Sequence, residues 1–360
     1  MRKTSRRKIF YTLVAVFVLL LPLILAYSLG YRLNLSSVLP EKTGGVFIKS
    51  RIPHLSIFLN NSFIRETSLF SGGVLLNGIK PGTYLLRIEK PLHSPWSKTV
   101  EVEPEMVTEL RNIMLTENPV RRATSTPTEI NILKTKNATT TSVTLDQKKN
   151  LTIQGERTSV IKQVHSYAVF DDTVFFINEV GFLARFDLNT SALENIERPA
   201  FYLTDKPARF WKSPDGKIII LDSGGGIFLL DIDSKLTPLG GGAKNIYLDE
   251  KGEKLLVLKD TALEIWWLEN NPYQPFQKKG TSEEIIKINS GLEDARWFFG
   301  DSAHIVIKGQ DGIFLTEIDG RGGRNTLELF FGQTDEIAAS PELPNTVFFL
   351  KGKMWYKIEL

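Results

Sequence analysis

The chain has 360 residues, of which 42% are hydrophobic and 24% charged, a composition typical of globular proteins with a buried core. Five of its basic residues fall in the first eight positions, so the rest carries 39 Lys and Arg against 41 Asp and Glu. That balance argues against a nucleic-acid partner, which needs a basic folded face. The absence of cysteine excludes disulfides, thiolate nucleophiles and cysteine-ligated zinc.

The N-terminus has the pattern of a membrane anchor. A basic tail over residues 1–8 precedes an uncharged apolar stretch over residues 9–31. As a helix this stretch would extend roughly 34 Å, enough for a bilayer core of about 30 Å. The positive-inside rule then predicts a single-pass transmembrane helix in the cell membrane, with a cytoplasmic N-terminus and an extracytoplasmic bulk. The alternative is a cleaved signal peptide with Ala26-Tyr27-Ser28 as its cleavage site, although the stretch exceeds the ~7–15 apolar residues of a signal core.

Residues 44–116 show the alternation of half-buried antiparallel strands. Apolar residues recur with period two in Leu55–Leu59, Tyr84–Glu89 and Lys98–Glu103. Pro81-Gly82 precedes the second of these runs and supplies the turn chemistry that a strand entry needs. No helical periodicity competes, so we predict a small β-sandwich.

The same residues resemble a PEGA domain, a small β-sandwich of bacterial and archaeal envelope proteins. The resemblance lies in Gly45-Val46-Phe47-Ile48, Pro53 before Leu55–Asn60, Ile79–Tyr84 and the Trp96-containing segment His93–Val102. Pro53-His54-Leu55-Ser56 stands in place of the tetrapeptide that names the family. Membership would imply an extracytoplasmic binding or spacer module without catalytic residues, often associated with surface glycoproteins or cell wall.

Residues 117–142 have the composition of a linker. Prolines and clusters of Thr and Ser dominate, as in Thr124-Ser125-Thr126 and Thr139–Ser142. Ile130 and Ile132-Leu133 are compatible with a short strand. We interpret the segment as a tether between two domains.

Residues 143–360 contain a repeated β-hairpin. Its first arm recurs five times at spacings of 37 to 50 residues, and its second arm starts seven to nine residues after the first. The first arms start at Val174, Ile218, Leu255, Ile305 and Val347, and the second at Leu183, Ile227, Leu263, Ile313 and Met354. A further apolar or aromatic strand precedes each hairpin, at Tyr167–Phe170, Ala208–Trp211, Asn245–Leu248, Ala295–Phe298 and Glu336–Ala339.

A period of about 40 residues with three or four strands predicts a β-propeller of five or six blades. The turn Ser213-Pro214-Asp215-Gly216-Lys217 resembles the repeats of TolB-type propellers. A sixth unit is available in Val143–Val164, where Leu151-Thr152-Ile153 is a candidate for the strand that closes the ring. The alternative is a β-sandwich with accidental regularity.

No catalytic, cofactor or metal site is predicted. His54, His93, His165 and His304 are scattered without metal-ligand spacing, and no nucleophile elbow, P-loop or dinucleotide fingerprint occurs. Asp231-Ile232-Asp233-Ser234 lacks the third acid and the glycine of a calcium loop. For Trp266-Trp267 we expect rings that fill the space between blades, with sugar stacking by an outward ring as the alternative.

These observations favour a non-enzymatic, membrane-anchored binding or scaffold protein of the cell envelope, with a protein or cell-wall glycan as partner. The alternative is a propeller enzyme, a hydrolase or lyase acting on envelope polymers. The strands expected to line the axis are rich in apolar and aromatic residues, which argues against an enzyme. A sensor would need a partner protein, because the predicted cytoplasmic tail has only eight residues.

Overall fold

The computed structural model describes residues 3–28, 31–32, 41–68, 73–134, 143–153, 159–196, 201–287 and 292–360. The chain forms two compact units, residues 1–119 with 319–325 and residues 120–318 with 326–360. Apart from α1 (Lys3–Ser28) and α2 (Pro127–Lys134), the regular structure is β-strand. The predicted all-β fold class is confirmed.

The helix α1 corrects the prediction made for the N-terminus. Its side chains are described over residues 7–22 and at positions 24 and 25. Among the described residues, no helix is both long enough and apolar enough to cross a membrane. This finding contradicts the single-pass anchor over residues 9–31 and the cell-membrane localisation that followed from it.

The first unit contains a short two-stranded sheet and two larger sheets. Its strands are β1 (Tyr31–Arg32), β2 (Glu41–Lys42), β3 (Gly44–Ser50), β4 (Ser56–Leu59), β5 (Ser62–Glu66), β6 (Gly73–Ile79), β7 (Gly82–Glu89), β8 (Trp96–Val102) and β9 (Val107–Ile113). The strand orders are β1-β2, β6-β3-β9 and β5-β4-β7-β8. The β3–β9 pair is parallel, and the other pairs are antiparallel.

One hydrophobic core joins the two larger sheets of this unit in a sandwich-like arrangement. Strand β8 shows the cause most clearly, because Trp96, Val100 and Val102 are buried at alternate positions while their neighbours are exposed. The predicted strands correspond to β4, β7 and β8. No alternation of apolar and polar residues predicts β5, since all five of its residues are exposed.

The second unit is built from the remaining strands. They are β10 (Ala123–Thr124), β11 (Val143–Leu145), β12 (Leu151–Ile153), β13 (Ser159–Ile161), β14 (Val164–Phe170), β15 (Thr173–Asn178), β16 (Leu183–Asp187), β17 (Leu193–Asn195), β18 (Arg209–Lys212), β19 (Ile218–Leu221), β20 (Ile227–Leu230), β21 (Leu236–Gly240), β22 (Asn245–Leu248), β23 (Lys254–Leu258), β24 (Ala262–Trp267), β25 (Ser282–Lys287), β26 (Asp294–Trp297), β27 (His304–Gly309), β28 (Gly312–Glu317), β29 (Thr326–Phe331), β30 (Glu336–Ser340), β31 (Leu343–Lys351) and β32 (Met354–Glu359).

These strands form six antiparallel sheets. We name them sheet I (β11-β12-β13), sheet II (β14-β15-β16-β17), sheet III (β18-β19-β20-β21), sheet IV (β22-β23-β24-β25), sheet V (β26-β27-β28-β29) and sheet VI (β10-β32-β31-β30). Consecutive up-and-down sheets of four strands are the architecture of a β-propeller. All five predicted hairpins and the strands before them are present.

Consecutive sheets pack face to face through shared hydrophobic cores. The shared cores join sheets I and II, II and III, III and IV, and IV and V. Sheets V and VI meet at Phe330 and Phe349, whose ring centroids are 4.8 Å apart. The first arm of the hairpin, which is the second strand of its sheet, is buried on both faces in sheets III and IV, and this explains the continuous apolar runs in the sequence.

A buried basic side chain lies at or directly before the start of the second strand in three successive sheets, and it contacts an acid of the preceding turn. The pairs are Lys217 with Asp215 at 2.5 Å, Lys254 with Asp249 at 3.3 Å, and His304 with Asp301 at 2.7 Å. Lys254 also lies 5.6 Å from the ring centroid of Trp267 and 5.4 Å from that of Trp297. The repeat is therefore electrostatic as well as hydrophobic.

The segment predicted as a linker contains two structural elements. Strand β10 pairs with β32, with Thr124 opposite Tyr356. Helix α2 then begins at Pro127, behind a capping box in which the Thr126 backbone N–H donates to Glu129 at 2.7 Å. The short strand considered at Ile130–Leu133 is thus helical. The strand that completes sheet VI is β10, whereas β12, the candidate from sequence, is the central strand of sheet I.

Candidate binding site

The first strands of sheets III, IV and V carry a polar network, which corrects the expectation that these strands are essentially apolar. Arg209 donates to the Asn245 side chain at 2.9 Å, and the Tyr247 hydroxyl donates to Asp294 at 2.9 Å. Asn245 also contacts the Tyr247 hydroxyl, and Arg296 pairs with Asp294. The network links three sheets through side chains alone.

The electrostatics of this network hold the tyrosine in its neutral form. Burial, opposed by the Arg296 charge and reinforced by Asp294, raises the pKa of Tyr247 well above its ordinary value. The Arg296 guanidinium lies 4.2 Å from the centroid of the Tyr247 ring. The Asp294 carboxylate is thus bound by both Tyr247 and Arg296. We interpret the network as a structural contact between sheets and not as a catalytic group.

A second constellation, the aromatic cleft, lies between sheets V and VI. It is a concave space of about 280 Å³ lined by Arg122, Ala123, Thr124, Phe330, Phe349, Lys351 and Tyr356. Phe349 forms its floor with 1% exposure, and its ring stacks on Tyr356 with centroids 5.3 Å apart. The aromatic faces come from strands β29, β31 and β32, and the pairing of β10 with β32 brings Arg122 to the rim.

Two positive charges stand over one ring in this cleft. The Arg122 guanidinium lies 5.2 Å from the Phe330 centroid, and the Lys351 ammonium lies 5.1 Å from it. The two charges are therefore at most about 10 Å apart, close to the screening length at physiological salt. Among the described residues, neither Arg122 nor Lys351 forms an ion pair with a carboxylate. The side chain of Asp335, directly before β30, accepts a hydrogen bond from the Gly352 backbone N–H at 2.6 Å. The cleft therefore combines two cations that have no ion-pair partner among the described residues with an aromatic lining.

Two other cation–aromatic pairs of the unit have a carboxylate of their own. Lys259 lies 5.9 Å from the Trp266 centroid, but Glu264 neutralises it at 2.6 Å. Lys254 has Asp249 beside it in the same way. Glu264 and Asp249 therefore neutralise these two lysines, whereas no carboxylate among the described residues pairs with Arg122 or Lys351.

The residues singled out in the sequence do not converge on a site. His54 contacts Glu66, His93 the Pro91 carbonyl, His165 the Thr204 carbonyl and His304 Asp301. Within the described ranges no group of three or more His, Cys, Asp or Glu residues could hold a metal ion. Asp231 forms a turn with Lys235.

Trp266 and Trp267 fill the space between sheets, as predicted. Trp267 is buried in the core shared by sheets IV and V, and Trp266 packs in the core of sheets III and IV. A Cβ at Gly240 would lie 2.3 Å from the Trp266 ring. That close approach leaves no room for a sugar on the inner side of the ring.

Sequence reasoning missed the aromatic cleft altogether. Arg122 lies in the segment interpreted as a linker, and Lys351 lies at the end of an otherwise apolar strand. The signal available was the Phe330-Phe331 pair near the end of an outer strand, where alternation would leave one ring exposed.

Comparisons with known proteins found weak structural likenesses and no family. No family model matches the chain and no curated protein matches it, so the PEGA and TolB resemblances remain predictions. Among solved structures the chain is similar to an extracellular domain of BT4673 from B. thetaiotaomicron, with 10% identity, a TM-score of 0.37, and coverage of 60% of this chain and 33% of that one. It spans about a third of that relative.

Two further solved structures show likenesses of the same strength. YCF48 from Cyanidioschyzon merolae is 12% identical, with a TM-score of 0.37 and coverage of 60% of this chain and 76% of that one. The tricorn protease is 12% identical, with a TM-score of 0.42 and coverage of 83% and 35%. Likenesses this weak say nothing about function, and the propeller architecture rests on the strand order itself.

Proposed function

We propose that this chain is a binding protein whose second unit is a six-bladed β-propeller and whose binding site is the aromatic cleft. The proposal rests on one observation: Arg122 and Lys351 stand over the same phenylalanine ring without a carboxylate partner among the described residues. A ligand that carries an anionic group beside a flat apolar group would neutralise both charges and pack against the apolar lining of the cleft.

The lining of the cleft favours binding over catalysis. Its hydroxyl groups, on Thr124 and Tyr356, have no histidine or carboxylate beside them in the lining that could act as a general base. The network of the first strands does not favour an enzyme either, because Arg296 and Tyr247 already occupy the Asp294 carboxylate. A propeller-type hydrolase or lyase therefore remains the alternative without a supporting site.

The first unit has a place in this proposal as a second module. If residues 44–116 are a PEGA domain, as their sequence indicates, the unit serves as a binding or spacer module in addition to the propeller. The expected partner is then another protein or a glycan. The positive charge of the aromatic cleft favours a partner that carries acidic groups.

The proposal is tested with 8-anilinonaphthalene-1-sulfonate, which combines a sulfonate with aromatic rings. We expect the dye to bind the full chain with a fluorescence increase, and the Arg122→Ala/Lys351→Ala variant to lose at least tenfold in affinity for its tightest site. Lys259→Ala is the matched control, since that lysine also stands over an aromatic ring but has its own carboxylate. Equal dye affinity in all three proteins would refute the aromatic cleft as an anion site.

A further inference from the structure

Strand β29 differs from the other outer strands of the four-stranded sheets. Outer strands expose unpaired backbone groups, and proteins protect them by shortness, by proline or by charges. Strand β17 has only three residues, β21 contains Pro238, and β25 carries Glu283, Glu284 and Lys287. Strand β29 has six residues with a single charge, that of Glu328, against three charges in β25, and it ends in Leu329-Phe330-Phe331, with Phe331 74% exposed.

The end of strand β29 that carries the exposed Phe331 borders the aromatic cleft. Strand β29 is the last strand of sheet V, and within the described part of the chain no strand pairs with its outer side. Phe330, from the same strand, is the ring over which Arg122 and Lys351 stand. A segment added to this edge would thus place every second side chain on the side of the two cations, because side chains of a strand alternate between its faces.

We propose that the outer edge of β29 accepts an extended acidic peptide as an additional strand, with a carboxylate of the peptide bound between Arg122 and Lys351. This inference rests on the aromatic cleft being the binding site, and it names the partner. Main-chain hydrogen bonds to β29 provide affinity, and the two cations and the aromatic faces select acidic and apolar residues at alternate positions.

Charge and geometry favour this occupant over two others. A second copy paired edge to edge would bring two further cations to the same place, and like charges would oppose the contact. A glycan offers no backbone amides at the spacing of a strand, so it would leave the β29 edge unpaired. An acidic peptide meets both requirements.

The inference is tested by selecting a displayed library of random decapeptides on the full chain. We expect the enriched sequences to carry Asp or Glu in alternation with β-branched or aromatic residues and to lack proline. A synthetic peptide of the enriched sequence, labelled with fluorescein, is then titrated by anisotropy. N-methylation of the amides on one edge of the peptide is expected to weaken binding at least tenfold, whereas N-methylation on the other edge leaves it unchanged.

Two substitutions separate the backbone contact from the charge contact. Phe331→Lys places a charge on the edge and should weaken peptide binding at least tenfold, while Phe276→Lys, at a phenylalanine with 68% exposure, is the matched control. Arg122→Ala/Lys351→Ala should abolish the preference for acidic residues.

The outcomes distinguish this inference from the proposed function. If the dye binds in an Arg122- and Lys351-dependent way but no peptide is enriched, or Phe331→Lys has no effect on an enriched peptide, the strand addition is wrong and the aromatic cleft stands as an anion site. If dye binding is also independent of the two cations, both fail. If the unliganded chain sediments as a dimer and the Phe331→Lys variant as a monomer, a second copy of the chain occupies the edge and the peptide proposal is wrong.

Discussion

Replacing Lys254 by methionine removes a buried charge while keeping a side chain of similar length. The ammonium group is enclosed by Trp267 and Trp297 and lies 3.3 Å from Oδ2 of Asp249, a fully buried carboxylate. Oδ1 of Asp249 accepts the backbone N–H groups of Glu253 and Lys254, at 2.8 and 2.9 Å. Oδ2 has no hydrogen bond of good geometry, so the lysine is its one compensating charge among the described residues.

Removing one partner of such a pair costs about 3–5 kcal/mol, because the other charge stays buried and unpaired. For a unit of this size that corresponds to a melting temperature lower by about 6–20 °C. Thermal and urea unfolding followed by tryptophan fluorescence measure the change at the site itself. We expect Asp249→Asn/Lys254→Met to recover part of the loss, since the asparagine keeps an oxygen for the two backbone donors.

Lys259→Met is the matched control for this prediction. Lys259 also pairs with a glutamate and stands over a tryptophan, but 28% of its side chain is exposed. We expect a change within about 1 kcal/mol, as for other exposed pairs. If Lys254→Met costs no more than Lys259→Met, or the double variant is less stable than the single one, the buried pair does not stabilise the unit in the way argued.

Three further predictions concern the second unit. Hydrogen bonds from Lys357 and Thr126 lower the pKa of Glu129 from 4.5 to about 2. The contribution of Glu129 to stability is therefore complete above pH 4.5 and is lost as the pH falls towards 2. In Glu129→Gln, the unfolding midpoint should depend less on pH over this range. Gly240→Ala should destabilise by about 1–3 kcal/mol through overpacking against the indole ring described above, while Gly241→Ala, with 3.7 Å to its nearest neighbour, should not; equal urea midpoints would contradict this. Because the pKa of Tyr247 is raised, its contribution to stability is present below the ordinary tyrosine pKa of 10 and is lost at higher pH. An absorbance titration should show one tyrosine that ionises at higher pH than the others, and Tyr247→Phe should remove it.

The strands that the sequence predicts and those it misses differ in their position within each sheet. Hairpin strands such as β19 and β23 are buried at every position, and their apolar runs stand out against any background. The outer strands carry few buried residues, with none in β17 and one in β25, so no pattern separates them from loops. Helix α2 had a detectable signal in the capping box of Thr126 and Glu129, but the surrounding Thr and Ser residues concealed it.

The candidate site was beyond sequence reasoning for another reason. The aromatic cleft combines Arg122 with residues more than 200 positions later, and the pairing of β10 with β32 is what unites them. A single sequence gives no pairing between distant strands when one of them has two residues. The polar network was visible as Arg209, Asn245 and Asp294, but their role depends on the packing of neighbouring sheets.

The pairing of β10 with β32 also has a consequence for the order of folding. Thr124 meets Tyr356 about 230 positions later, whereas each hairpin pairs residues about ten positions apart. Closing the longer loop costs roughly 3 kcal/mol more in chain entropy, since each doubling of length adds about 0.6 kcal/mol. Local hairpins can therefore form while the chain is still being synthesised, and sheet VI must wait for the final strand. The rim of the aromatic cleft is assembled in the same late step, so the proposed binding site is complete only after sheet VI has formed.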